Sequence, residues 1–429
     1  MKKTILILLG CFLAAVVWQH HNLSVFFKNQ LDLSWFSFAG EDYAAARVAY
    51  MTSGVGPVKI AFIAPPSSMQ TGAEHFFEDA FNGAALAAEQ IAPTLGKGRK
   101  IELATVICDP EDLSGSQAIT TLGSDPSVLA VILPSSHTAQ LESEVNAEYL
   151  GLLIFHAGGL LTAREQESSL AFDNTYPMSH FSEKIASDAA KRGIQSVLML
   201  TEKNRDGQYA ATNQDFWFSK KGVPVPASFL YEKNMIDGTM LEELSKKVGI
   251  LGTDAIYWGS ALKLKALSDA MRRLSAKKPA EHFMYLPMVT DNNPALKKIL
   301  EQLESSALDA VVAYPVVADP RQQEAFDKLY QAKHQVGGNY AAYYGYDTFM
   351  LLADCLRKKN TASPQDIAQS LTESGYKGIL ATYQFTENGI LDDQAAANIR
   401  LGKIKNGALV ELASERAPSA ENRPMRTEQ

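Results

Sequence analysis

Cysteine is scarce in this chain: Cys11, Cys108 and Cys355 are the only three among 429 residues. A disulfide framework is therefore excluded, and at most one internal bridge can form. Positive charge is not in surplus either. Against 48 Asp plus Glu stand 40 Lys plus Arg, a formal charge of -8 that offers no field to nucleic acid or anionic lipid. Chemistry motifs are missing as well. The chain contains no Gly-x-Ser-x-Gly elbow, His-Glu-x-x-His helix, Gly-x-x-x-x-Gly-Lys-Ser/Thr loop or Cys-x-x-Cys pair. Its histidines are dispersed, with only His20 and His21 adjacent, so metal-ligand spacing is not met. Ser135-Ser136-His137 invites a nucleophile reading, yet it would need an orienting carboxylate and an oxyanion hole in three dimensions. These absences argue against an enzyme, a cofactor, a metal centre or a nucleic-acid partner.

What is present is the composition of a folded protein. At 46% hydrophobic and 21% charged residues, the chain can bury a sizeable core and is not disordered as a whole. Single cores stop growing near about 250 to 300 residues, so a chain of 429 implies two lobes.

The amino terminus bears on location. Lys2 and Lys3 precede an uncharged run from Thr4 to Trp18, the pattern of an export signal or a membrane anchor. At about 1.5 Å per residue the run is short for a hydrocarbon layer of roughly 30 Å, although residues 22–27 can extend it. Positive charge before it orients everything downstream outside the cytoplasm, as a periplasmic or extracytoplasmic body that residues 4–18 would hold at the inner membrane if retained. Leu8-Leu9-Gly10-Cys11 has some likeness to a lipoprotein box, but the apolar run continues past the cysteine. Cleaved signal and retained anchor both remain open. Residues 19–56 read either as a spacer or as an elaborated terminus packed on the body, with a short helix over 42–51. At the other end, the charged, proline-bearing residues 413–429 read as a disordered tail.

From Val58 onward, apolar β-branched runs alternate with stretches of helical period, which predicts parallel sheets covered by helices. Strands are expected at 58–64, 101–107, 128–133, 152–155, 196–201, 228–231, 255–258, 283–286 and 310–314. Helices are expected at 72–91, 114–122, 138–149, 180–191 and 208–220. After Tyr314 helices dominate, at 322–333, 340–356 and 364–372, before a last strand region over 379–410. This change of rhythm is what a chain crossing between lobes would show.

Several phrases in order carry a resemblance: Val58-Lys59-Ile60-Ala61-Phe62-Ile63-Ala64-Pro65, Phe81-Asn82-Gly83-Ala84-Ala85-Leu86-Ala87, Cys108-Asp109-Pro110, Leu133-Pro134-Ser135-Ser136-His137-Thr138, the helix 343–356, and Phe385-Thr386-Glu387-Asn388-Gly389. Together they resemble the extracytoplasmic solute-binding proteins of branched-chain amino-acid type ABC transporters, over roughly residues 57–410. The resemblance implies the α/β two-lobed type I periplasmic binding fold, each lobe a mostly parallel sheet covered by helices. It places 57–173 and 312–385 in the first lobe, and 174–311 and 386–412 in the second. It further implies a small-molecule ligand between the lobes, an inner-membrane ABC permease as partner and a monomeric soluble body.

Site residues follow from the same resemblance. Ser135, Ser136 and Thr138 occupy positions where the family holds a ligand carboxylate, and His137 stands where the family has a small polar residue. Helix capping by this loop is an equally good reading, and both can hold together. The amine side departs from the family. Gly158, Gly159 and Leu160 stand where a small hydroxyl residue follows a Gly-Ala pair, and Tyr285-Leu286-Pro287-Met288 where a glutamate is often found. Asp206 before Gly207 replaces the family's tyrosine, and a turn aspartate is the plainer reading. Phe76 falls at an aromatic cleft position, and Leu160, Trp258 and Tyr314 would extend an apolar wall, although each also fits an ordinary core role. A buried ammonium without a carboxylate partner is costly, so a free α-amino acid is disfavoured as ligand. The family's bridge from Cys108 would end at the position of Pro134 and cannot form. A membrane-anchored sensor or accessory module on the same fold, without transport, is the alternative function.

Overall fold

Val128–Leu133 (β3) is a continuous apolar run and Val58–Ala64 (β1) is one interrupted only by Lys59; both are buried almost throughout. Strands buried on both faces belong inside a parallel sheet. Ile101–Ile107 (β2) alternates between covered and exposed positions, as an edge strand does. With Leu153–His156 (β4) and Ala171–Asp173 (β5) they form a five-stranded parallel sheet in the order β2-β1-β3-β4-β5. The helices that follow its strands are Glu74–Ile91 (α2) and Leu113–Ser124 (α3).

In this computed structural model the described residues are 43–64, 74–91, 99–108, 113–133, 148–156, 169–203, 205–231, 243, 246, 253–258, 283–286, 309–359, 363–392, 398–405 and 408–412. They fall in one compact unit beginning at Tyr43. The apolar run 4–18, the first part of the expected spacer, most of the expected helix 138–149 and the tail 413–429 lie outside them.

A second sheet takes up the chain after β5. Its strands are Val197–Glu202 (β6), Ala227–Tyr231 (β7), Ala255–Trp258 (β8), Phe283–Leu286 (β9), Asp309–Pro315 (β10), Ile399–Lys405 (β13) and Ala408–Glu411 (β14), in the order β14-β13-β10-β9-β8-β6-β7. Strands β7, β6, β8, β9 and β10 are parallel, and β13 and β14 add antiparallel. Met178–Lys191 (α4) and Arg205–Lys220 (α5) belong with this sheet and bond to each other through Gln214 Nε2, which donates to Ser182 O at 3.2 Å.

The chain then returns to the first sheet. Pro320–His334 (α6), Tyr340–Lys358 (α7), Pro364–Glu373 (α8) and the small hairpin Tyr376–Lys377 (β11) with Thr382–Tyr383 (β12) all precede the final passage to β13. Their starts were written in the sequence. Asp319 caps α6, Asn339 caps α7, and Ser363 with Asp366 forms a capping box on α8. Helix α7 lies against α2 with almost no side chain between: a Cβ on Gly83 would stand 1.9 Å from Ala342 O, and one on Gly345 would stand 1.8 Å from Ala80 O. Each glycine thus admits the other helix's backbone. Phe385 then packs against Phe172, ring centres 5.1 Å apart, and the turn after it bridges Ile390 to Asp173 at the edge of the first sheet.

The body is therefore two lobes woven by three crossings, after Asp173, after Pro315 and after Asp392. Two crossings fall a few residues later than the expected boundaries. Strand β10 stays in the second sheet through Pro315 because it pairs with β9 on one side and β13 on the other, so 312–315 belong there rather than with the first lobe. Residues 386–390 stay with the first sheet through the Ile390 bridge and the 2.7 Å bond from Asp173 N–H to Gly389 O. The three-residue strand β5 was not expected, being too short to show a period.

Within the expected spacer, Tyr43–Ser53 forms a helix (α1) that packs on the body. Arg47 on it is fully buried and donates to Val128 O at 2.6 Å, Gly123 O at 2.5 Å, Asp125 O at 3.1 Å and Leu150 O. Arg99 holds the following turn through Met51 O at 2.8 Å and Gly56 O at 3.0 Å. Among the described residues no disulfide joins the two cysteines: Cys108 is half-buried, and Cys355 is a buried member of α7.

Candidate functional site

In a parallel α/β sheet the strand carboxyl ends and the helix amino ends face the same way, and ligands bind where they converge. Along that edge of the first sheet, Leu133, His156 and Asp173 stand side by side in register on β3, β4 and β5. The loop holding Ser135, Ser136, His137 and Thr138 leaves β3, and the loop holding Gly158 and Leu160 leaves β4. Those six residues lie outside the described residues. Their points of departure are neighbours, because β3 and β4 pair directly. Phe76 belongs to the first turn of α2, which follows β1 on the other side of β3; its side chain lies outside the described set.

The second sheet contributes more loosely. Asp206 stands in the first turn of α5, just after β6, and its side chain too lies outside the description. Trp258 ends β8, the neighbour of β6, and is 1% exposed, with its ring 6.1 Å from that of Tyr231. Tyr314, near the end of β10, is 9% exposed and pairs in register with Arg400. Both rings are core residues in this conformation.

Behind the edge of the first sheet runs a polar seam that sequence reasoning had missed. His156 and Asp173 are both 0% exposed. The Tyr344 hydroxyl donates to His156 O at 3.0 Å, and the Thr348 hydroxyl donates to Tyr344 O at 2.7 Å. Asn174 Nδ2 donates in turn to Thr348 Oγ1. Asp173 Oδ1 accepts the Thr175 N–H at 2.8 Å, closing a local turn at the strand end. Burial drives the Tyr344 hydroxyl well above the usual phenol range, so it stays neutral. The available signal was the polar run Asp173-Asn174-Thr175 ending an apolar strand. Such a seam fixes strand ends; it offers no nucleophile with a base. Among the described residues no three His, Cys, Asp or Glu side chains converge to hold a metal ion.

The described residues form two lobes, each a largely parallel sheet covered by helices and woven together by three crossings, and the periplasmic binding protein family matches residues 57–408. The chain belongs to the periplasmic binding protein family. Solved structures agree on the fold of this periplasmic binding protein. An ABC transporter substrate-binding protein from Desulfitobacterium hafniense, in complex with Leu, gives a TM-score of 0.66 at 17% identity, covering 83% of this chain and 100% of its own. A leucine binding protein from Thermotoga maritima gives 0.65 at 18% identity, covering 83% and 98%. A solute binding protein of an ABC transporter from R. palustris, in complex with benzoate, gives 0.64 at 15%, covering 83% and 96%. No curated protein matches by sequence. The expected family is thereby borne out, and with it a two-lobed α/β fold of parallel sheets covered by helices; membership sets the chain among binding proteins rather than enzymes. Helix α1 precedes the matched region and is an addition to it. Among the described residues no helix is long and apolar enough to cross a membrane.

Proposed function

We propose that this periplasmic binding protein captures a small solute between its lobes outside the inner membrane and delivers it to an ABC-type permease, and that the solute carries a carboxylate but no free α-ammonium group. The observation that carries the reading is an asymmetry of residues. Ser135, Ser136 and Thr138 retain hydroxyl donors for a carboxylate, with His137 beside them as a further donor. On the amine side stand Gly158, Gly159 and Leu160, and across the cleft Tyr285-Leu286-Pro287-Met288, with no carboxylate in either stretch. An ammonium enclosed there would lose its water without gaining a partner, whereas an aromatic or aliphatic tail would not. That a similar fold is known in complex with benzoate as well as with Leu supports this choice of chemistry. Phe76 and Leu160 would supply the apolar wall once the lobes close, with the buried rings of Trp258 and Tyr314 packed behind it, and Asp206 would stand at its rim.

A thermal-shift screen of the purified protein against leucine, valine, benzoate, aliphatic carboxylates and amides tests the proposal. A ligand at 100 times its dissociation constant stabilises by about 2.7 kcal/mol. Carboxylates without an ammonium group should raise the melting temperature, and Ser135→Ala should weaken the response.

A second reading, a membrane-anchored sensor or accessory module, draws on the uncharged run 4–18 and on α1, which ties the chain that follows it firmly to the body. Fractionation separates the two. Release of the mature protein as a freely diffusing species favours delivery to a permease, and retention in the membrane by residues 4–18 favours the sensor.

A further inference from the structure

One buried carboxyl grips a turn of the first lobe, and that turn grips two of the three crossings. Asp347, on α7, is 0% exposed. Its Oδ1 accepts the backbone N–H of Ile379 at 2.9 Å; its Oδ2 accepts that of Leu380 at 2.9 Å and the Tyr383 hydroxyl at 3.0 Å. The turn is held by its donors, which leaves its carbonyls to face the crossings. Ile379 O receives the N–H groups of Ala318, at 2.7 Å, and Asp319, at 3.1 Å, both on the second crossing. Leu380 O receives the hydroxyl of Tyr176, at 2.5 Å, on the first. The third crossing joins through Asn398, whose carbonyl accepts the Val316 N–H at 2.8 Å and whose side chain hydrogen-bonds Tyr176.

There is no slack in this arrangement. A Cβ on Gly378 would stand 2.6 Å from Asp347 Oδ2, and Ile379, Leu380 and Ala381 are all buried. Packing alone does not call for a carboxyl here, because burying one costs more than burying an apolar residue of the same size. Its return lies in fixing two adjacent N–H groups, and through them the direction of two carbonyls.

We infer that the Ile379–Leu380 turn, gripped by Asp347, is the pivot of lobe motion: it holds the first two crossings at one point, so that the lobes move as a hinge rather than independently. Asp347, Tyr176 and Tyr383 are thus positioning residues for closure and touch no ligand. This inference goes beyond the proposed ligand and does not depend on which solute is bound.

The test needs no ligand. Spin labels are placed at Ala332→Cys on α6 and Ser219→Cys on α5, both exposed and one in each lobe. Cys11→Ser and Cys108→Ser remove other reactive thiols; Cys355 is buried, and burial pushes its thiol up to about 11, which keeps it inert. Pulsed dipolar spectroscopy of the full chain then gives the interlobe distance distribution. Tyr176→Phe and Tyr383→Phe each remove one hydroxyl of the pivot. Tyr330→Phe is the matched comparison, since Tyr330 is equally buried and donates to Asp79 Oδ1 at 2.9 Å away from the crossings. A shifted or broadened distribution in either pivot variant, with Tyr330→Phe like the parent, is the expected result. Parent-like distributions in both pivot variants, or an equal change in Tyr330→Phe, would overturn the inference.

Discussion

Arg47 Nε donates to Val128 O across 2.6 Å, joining a helix that precedes the family's matched region to the first residue of β3. The guanidinium also bonds the carbonyls of Gly123, Asp125 and Leu150, so α1 is stitched to two separate stretches of the first lobe, 123–128 and the approach to β4. Those segments lie at the amino ends of the strands. The candidate site residues follow the opposite, carboxyl ends of β3 and β4 in the sequence.

Arg47→Ala should therefore destabilise the body by about 3 kcal/mol, since it leaves several buried carbonyls without a donor. Arg47→Lys should recover only part of this, because one ammonium cannot reproduce the planar fork. Chemical denaturation of the two variants checks both values, and equal stability of the Lys variant and the parent would contradict the fork's role.

The α2–α7 contact makes a sharper structural prediction. Gly345→Ala and Gly83→Ala each drive a methyl group into facing backbone, so each should cost about 2–3 kcal/mol. Gly337→Ala meets nothing within 4 Å and should be close to neutral in the same melting experiment.

Much of this fold was legible in the sequence, and the reasons are particular. The sequence predicts strands β1, β2, β3, β8 and β9 at their observed bounds, because short runs of β-branched or aromatic residues leave little choice. Helix starts at Pro320, Tyr340 and Pro364 announce themselves by their caps, although the first was read two residues late. Strand β5 was not legible: three residues define no period, and pairing with β4 alone makes them a strand. Nor was the value of Asp347 or Arg47. A charged residue in a helical stretch reads as surface, and only tertiary partners 32 and 81 residues away turn each inward. For the candidate site the sequence pointed to loops after β3 and β4, and the fold places those strands side by side. Trp258 and Tyr314 could not be told from core by sequence, since an aromatic near a strand end satisfies both descriptions.

Asp347 predicts a pH dependence. Burial raises its carboxyl to about 7, against the Ile379, Leu380 and Tyr383 donors, which pull it down. The folded protein therefore holds this proton more tightly than the unfolded chain does. Its contribution to stability is full below about pH 4 and is lost as pH rises toward 7, by about 4 kcal/mol in all. Denaturation midpoints of the parent and Asp347→Asn, measured from pH 4 to 8, should converge or cross as pH rises, and parallel curves would contradict the assignment.

The thiols give a chemical check. Cys108 and Cys355 form no disulfide with each other, so intact mass should not change by two hydrogens on reduction, apart from any bridge made by Cys11. With Cys11→Ser in place, a thiol reagent at pH 8 should modify half-buried Cys108 and leave Cys355 until the protein unfolds. Rapid reaction of both would mean that α7 opens in the native state.

The most direct measurement is a calorimetric titration of the purified protein with benzoate, a branched aliphatic carboxylate and leucine under identical conditions. Binding of at least one carboxylate that lacks an ammonium group, weakened by Ser135→Ala, with no heat from leucine, is the predicted result. Saturable binding of leucine, with no response to either simple carboxylate, would contradict it.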